Sequence, residues 1–320
     1  MASIDVTELL KPVSAPLRLV EARIQAALEG EQQWLTEAYR ALFAGGKRMR
    51  PAITLLAAGP ESASMPEVVA LGAALEMLHA ATLIHDDIVD EAHTRRGRPT
   101  LSAQFGDNIA LLAGDHLFAK AALVATETRS IRALQLFAHT LVTISAGELE
   151  QHWRAGSLPS YSDYLRLIYA KTACLFESAA LGGALLAGRH EEHVQAFATY
   201  GRMLGLAFQI ADDVLDYTGD PSSLGKPTLK DLQRGLLTLP LLLYLWDRQS
   251  RGKPLPEPAS TSTLWPELVG IITEGGFAAR ALEIARQYAS EARLAISGII
   301  DGEFAASLEG LAWFAVSRTS

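Results

Sequence analysis

Residues 76–91 read EMLHAATLIHDDIVDE, and residues 205–217 read GLAFQIADDVLDY. Each holds Asp-Asp-x-x-Asp inside an apolar stretch whose spacing is helical rather than alternating. Positions i and i+4 lie nearly above one another on a helix, so Asp86 and Asp90 share a face, as do Asp212 and Asp216. Like charges at that spacing repel, so both helices accept a local penalty. Carboxylate oxygens without His or Cys partners suit hard cations, magnesium above all. Magnesium keeps waters and is commonly shared with phosphates, so two carboxylate walls can clamp a metal–diphosphate complex. A solvated acidic face is the better reading of one isolated cluster. Here Leu83, Ile84, Ile88, Val89, Phe208, Ile210, Val214 and Leu215 surround two of them, which favours the functional reading. Neither segment has the loop spacing or the glycine of an EF-hand.

Helical spacing continues outward from both segments. Val68, Leu71, Leu75 and Leu78 fall on one face, and Ser64 with Glu67 reads as a capping box with Pro66 in the first turn. Further apolar helices are expected over 107–125, 130–153, 162–188, 191–217 and 228–248, with two or three more between Trp265 and Arg318. Breaks are short, at Gly45-Gly46, Gly97-Arg98-Pro99, Gly156 to Ser160 and Gly219 to Pro227; the longest, Arg251 to Ser262, reads as a surface connection. One all-α domain over residues 1–320 is the simplest fold, with central helices apolar on most faces.

The composition narrows the function. Of 320 residues, 49% are hydrophobic, enough for a sizeable core. The formal net charge of −8 argues against a nucleic-acid binder working through a broad basic surface. The single cysteine, Cys174, rules out an internal disulfide framework and fits a reduced, cytoplasmic setting. The N-terminus lacks a signal-peptide pattern, and no run of about 18 apolar residues is evident, so no membrane span is expected.

Positive charge clusters in two places. GGKRMRP, residues 45–51, joins a glycine turn with exposed amides to Lys47, Arg48 and Arg50, a combination that phosphate recognition needs. RRGR, residues 95–98, follows the first aspartate cluster, where surface ion pairing is the ordinary alternative. Lys171-Thr172, Gln209, Gly225-Lys226 and Lys230 add polar groups beside apolar helices. His79 lies two turns before Asp86 on the same side of its helix. A lone His there is usually a core residue, but its alignment with the aspartates raises the odds of a binding role. No Ser-His-Asp or Cys-His arrangement, Rossmann fingerprint or Walker motif is present.

Taken in order, GGKRMRP, EMLHAATLIHDDIVDEAHTRRGRPT, KTACLFESAALGG, GLAFQIADDVLDYTGD, LGKPTLKDL and TLPLLL resemble the hallmarks of the trans-isoprenyl diphosphate synthases, or polyprenyl synthetases. The match runs from about Phe43 to Pro240 and continues more weakly to the C-terminus. The resemblance implies an all-α helical bundle of ten or more helices around a deep central cavity, usually a homodimer. It implies about three Mg²⁺ ions held by Asp86, Asp90, Asp212 and Asp216, with Asp87 and Asp213 supporting. Gly46, Lys47, Arg50, His79 and Arg96 would bind isopentenyl diphosphate. Arg95, Lys171, Thr172, Gln209 and Lys226 would bind the allylic diphosphate, Lys171 with a catalytic share. One departure stands out: members often carry Gly-Lys-x-Thr before Leu-Pro, and this chain has Leu236 in place of that lysine, with Lys230 nearby.

The reaction so implied is ionisation of the allylic diphosphate, condensation with isopentenyl diphosphate and loss of a proton. Positive charge placed at the departing diphosphate is the main catalytic term, and apolar walls keep water from the allylic cation. Ala81 and Thr82 precede Asp86 by five and four residues. Short-chain members tend to carry aromatic residues there, so small ones imply an open tunnel and an all-trans product of roughly C30 or longer, for which a quinone side chain is the expected use. Phe137 is a candidate tunnel floor. Release of so apolar a product would favour peripheral membrane contact. The rival readings are a short-chain synthase making C15 or C20, a class I terpene cyclase and a non-catalytic subunit of the same fold. Asp212, Asp216, Lys47 and Arg50 argue against the cyclase.

Overall fold

The computed structural model describes residues 5–153, 158–219, 237–254 and 265–317. Helices α1 to α8 span Val6–Leu9, Ser14–Ala27, Gln33–Phe43, Met49–Ala58, Pro66–Val89, Leu101–Phe105, Asp107–Thr126 and Ile131–Trp153. Helices α9 to α15 span Tyr161–Ile168, Cys174–Leu186, Glu191–Thr218, Leu239–Ser250, Trp265–Glu274, Phe277–Ala295 and Gly302–Ser317. A π-helical turn, Tyr169–Ala173, joins α9 to α10. The one β feature among the described residues is a two-rung hairpin pairing Thr94 with Pro99 and Arg95 with Arg98. Its turn residues Arg96 and Gly97 both have positive φ, 51° and 72°, as a two-residue hairpin turn demands.

The all-α expectation holds. The start of α5 differs from the sequence reading by one residue. Met65, not Ser64, is the N-cap, and no capping box forms. Pro66 at the first helical position keeps the preceding residue extended, here φ −61° and ψ 135°, so the helix cannot begin earlier. By length and composition α5 and α7 could each cross a membrane. In α5, 78% of the apolar window is buried inside the fold, with Leu71, Leu75, Met77 and Leu78 fully covered, as befits a core helix.

Helix α10 lies at the centre and buries residues on every face. Backbones approach it closely because its contacts use small residues. Gly201 and Gly205, one turn apart, let α11 lie directly on α10; a Cβ at Gly201 would sit 2.6 Å from Glu177 Cα, and one at Gly205 2.7 Å from Ala173 Cβ. Gly183 does the same for α4, where a Cβ would fall 2.9 Å from the Thr54 carbonyl carbon. On the far side of α11, α14 buries Ala278, Ala281, Ala285, Ala289 and Ala292 in one seam. These close contacts fix the aspartate-bearing ends of α5 and α11 on either side of the π turn.

Candidate active site

Asp86 stands in the last turn of α5, and Asp90 follows the helix end with its N–H on the Asp86 carbonyl at 2.8 Å. Burial pushes the Asp86 carboxyl up to about 6; Lys171 opposes this, while Glu148 and Asp90 add to it. On α11, Asp212 is exposed and Asp216 half-buried.

The middle aspartate of each cluster turns inward. Asp87 is 5% exposed and receives Arg95 Nε at 2.9 and 3.1 Å and a terminal guanidinium nitrogen at 2.8 Å. Asp213 is 3% exposed and accepts from Gln209 Nε2 at 2.9 Å, the Tyr164 hydroxyl at 2.7 Å and the Leu239 N–H at 3.3 Å. Each Asp-Asp-x-x-Asp therefore consists of an outer pair that is at least partly exposed and an inner anchor that ties the helix to its neighbours.

The π turn stands between the two helices. Its wider winding sends adjacent side chains in different directions. Lys171 Nζ lies 3.3 Å from Glu148 Oε1. Burial works against its charge, but Glu148, Asp86 and Asp90 outweigh that and raise its pKa. Thr172 instead donates to Gln209 Oε1 at 2.6 Å and so joins the Asp213 network. Gly147 allows α8 this close, since a Cβ there would lie 2.5 Å from Ala170 Cβ.

The basic loop divides in a similar way. Arg48, at φ 50°, turns back to Glu21 and Glu76 at 3.5 and 3.6 Å and donates to the Phe43 carbonyl, so it braces the loop. Gly46 lies directly beneath it: a Cβ there would displace the Arg48 guanidinium and lie 3.7 Å from that of Arg96. Lys47 Nζ sits 4.9 Å above the Phe314 ring of α15. Arg50 lies 5.0 Å from the Phe176 ring, and its buried Nε has no hydrogen-bond partner among the described residues. His79 is held well below the usual imidazole range, first by burial and then by Arg50, Arg95 and Arg96. It is thus a neutral donor or acceptor among three guanidinium groups. A cleft of about 280 Å³ opens beside them, lined in part by Gly45, Leu83, Asp87, Arg95, Arg96 and Arg98.

The structure thus gathers Gly46, Arg50, His79 and Arg96 on one side, and Asp86, Asp90 and Lys171 on the other. Arg95, assigned above to the allylic diphosphate, is held by Asp87. Thr82 lies one turn below Asp86, its hydroxyl on the His79 carbonyl at 2.8 Å. Ala81 is fully buried one turn below His85, whose ring packs over Gly114 of α7. Lys226, Lys230 and Leu236 lie outside the described residues. Sequence reasoning missed Glu148, Tyr164 and Phe314. Glu148 carried one signal, its place after a glycine in an apolar helix.

Among the described residues no three His, Cys, Asp or Glu side chains form a ready-made metal cage. The outer aspartates offer oxygen donors only. That donor set fits a hard cation completing its shell with water and phosphate oxygens. If Asp86 holds a cation it must first shed its proton, and the metal concentration for half-maximal activity would then rise steeply below about pH 6. An unchanged requirement down to about pH 5 would contradict this role.

An all-α chain with aspartate clusters on α5 and α11, a half-buried lysine beside the first and a cleft lined by arginines belongs to the class of helical enzymes that handle diphosphates. The polyprenyl synthetase family model matches residues 32–257, and the chain belongs to that family. It is 39% identical over 244 residues to the heptaprenyl diphosphate synthase component 2 of Geobacillus stearothermophilus, covering 75% of this chain and 76% of that one. It is 36% identical over 306 residues to the octaprenyl diphosphate synthase of Escherichia coli K12, covering 93% and 94%. A Caulobacter crescentus polyprenyl synthase, solved with calcium and isoprenyl diphosphate, superposes over 100% of both chains with a TM-score of 0.89 at 35% identity.

Proposed function

We propose that this chain, read as one domain, condenses isopentenyl diphosphate with an allylic diphosphate, in the presence of magnesium, to make an all-trans polyprenyl diphosphate of roughly C30 or longer. The observation that carries the reading is the pair of outward aspartate faces on either side of Lys171. Octaprenyl and heptaprenyl synthases among the relatives support the long product.

Asp86, Asp90, Asp212 and Asp216 would hold the metal, which when bound neutralises the departing diphosphate. Lys171, already charged beside Asp86, adds a positive group at that leaving site. Arg50 and Lys47 hold the second diphosphate, the orphaned Arg50 Nε gaining its partner there. Neutral His79 serves as a hydrogen-bond donor in the same group. Aromatic faces at Phe176 and Phe314 exclude water from these cations. A second copy of the chain would cover the side chains that α7 and α8 leave exposed, among them Leu112, Leu123, Val142, Leu149 and Trp153 at 63, 64, 64, 74 and 91%.

The two diphosphate sites separate kinetically. Arg50→Ala or Lys47→Ala should raise the KM for isopentenyl diphosphate by about 10- to 100-fold, the worth of a charged hydrogen bond, with a smaller change for the allylic primer. Lys171→Ala should do the reverse. Equal effects on both substrates would overturn the assignment.

A further inference from the structure

Two sets of contacts hold the π turn. One belongs to the site: Lys171 meets Glu148 at 3.3 Å, and Thr172 donates to Gln209 Oε1 at 2.6 Å. The other takes no part in the chemistry described above. Glu177 of α10 is 9% exposed and receives Arg202 of α11 twice, Nε on Oε2 at 3.0 Å and a terminal nitrogen on Oε1 at 2.7 Å. Both carboxylate oxygens are thereby matched to the planar guanidinium. The same guanidinium carbon stands 5.7 Å from the centre of the Tyr169 ring. Burial first and Glu177 second raise the Tyr169 phenol above its usual range, so its hydroxyl keeps its proton beside that carboxylate. Tyr169 opens the π turn, and Gly201, next to Arg202, is where α11 lies on the Glu177 backbone. One arginine thus links the turn, α10 and α11 at their closest approach.

A π turn needs such support. Its hydrogen bonds run one residue further than those of an α-helix, and the winding is rare outside functional sites. Relaxing into α winding would expel one residue from the turn. Each residue of an α-helix accounts for about 100° of rotation, so the segment ahead of the change would swing by that angle relative to α10. Tyr169 would leave Arg202, and Lys171 would leave Glu148. The choice between the two windings is local, so a contact at the first residue of the turn can decide it. Gly205 supports the other end, where α11 lies against Ala173, the last residue of the turn.

We propose that Glu177, Arg202 and Tyr169 form a bracket that holds the π winding and through it positions Lys171 for the allylic diphosphate. They are positioning residues: the charges of Glu177 and Arg202 neutralise one another, so their part in the reaction runs through the turn. This deepens the prenyltransferase reading and rests on it. The test is steady-state kinetics for both substrates in Arg202→Ala, Arg202→Lys and Glu177→Gln, each with and without Lys171→Ala, with circular dichroism to confirm folding. Arg202→Ala and Glu177→Gln should each raise the allylic KM by about 3- to 10-fold, less than Lys171→Ala itself, and leave the isopentenyl diphosphate KM unchanged. Arg202→Lys keeps the charge without the fork and should recover part of the loss. In the Lys171→Ala background the same substitutions should change nothing further, because the group they position is gone. The Arg202 side chain is 48% exposed, so its truncation keeps the test open if a change at Glu177 disrupts the core. Effects that multiply in full with that of Lys171→Ala, or that raise both KM values equally, would mark the bracket as general support and overturn the proposal. A folded Arg202→Ala enzyme with the wild-type allylic KM would overturn it as well and leave the condensation standing. A wild type that forms no condensation product would overturn both.

Discussion

Asp86→Ala and Asp212→Ala are each expected to lower turnover by about two to four orders of magnitude and leave the helical circular dichroism unchanged. Asp86 and Asp90 both act on Lys171, and Asp212 is exposed on α11. What each removal takes away is charge stabilisation of the leaving diphosphate, where about 1.4 kcal/mol corresponds to tenfold in rate. In Asp86→Ala the loss also frees a helix from like-charge repulsion and from a half-buried carboxyl, so its melting temperature should hold or rise. Turnover within a few-fold of wild type in either variant would contradict the clamp.

The inner aspartates should behave in the opposite sense. Asp213→Ala would strand three donors that now converge on one buried carboxylate: Gln209 Nε2, the Tyr164 hydroxyl and the Leu239 N–H. Each unsatisfied buried group costs about 1–3 kcal/mol, and partial relaxation brings the expected loss of stability to about 2–5 kcal/mol. The loss would fall where α9, α11 and α12 meet. Burial first and Asp213 second push the Tyr164 phenol well above its usual range, so that hydroxyl stays a donor at every pH where the fold persists. Chemical denaturation of Asp213→Ala beside Asp212→Ala checks the distinction. Equal stability in the two variants would show that the inner anchor is not structural.

The aspartate pairs could be read from the sequence because helix periodicity puts i and i+4 on one face whatever the tertiary context. That argument does not tell the outer residues from the inner one, since Asp87 finds Arg95 eight residues away and Asp213 finds Tyr164 and Leu239 49 and 26 residues away. The π turn at Tyr169–Ala173 was hidden for another reason. Residues 162–188 are apolar on most faces, so one extra residue in the winding leaves no visible slip in the pattern. Arg48 looked like a phosphate ligand beside Lys47 and Arg50. Its left-handed backbone turns it toward Glu21 and Glu76, which spacing cannot predict. Phe314 reaches Lys47 from the last helix, a contact without any local signature. The start of α5 missed by one residue because a serine–glutamate pair outweighed the stricter demand of Pro66.

The decisive measurement is the product ladder formed by the purified single chain from labelled isopentenyl diphosphate, an allylic primer and magnesium. A relative named as a second component makes the use of this chain alone essential. Reversed-phase chromatography after dephosphorylation should show stepwise products ending at roughly C30 or longer, abolished by excess chelator and by Asp86→Ala. No incorporation by the chain alone, incorporation that survives the chelator, or a ladder that ends at C20 would contradict the account.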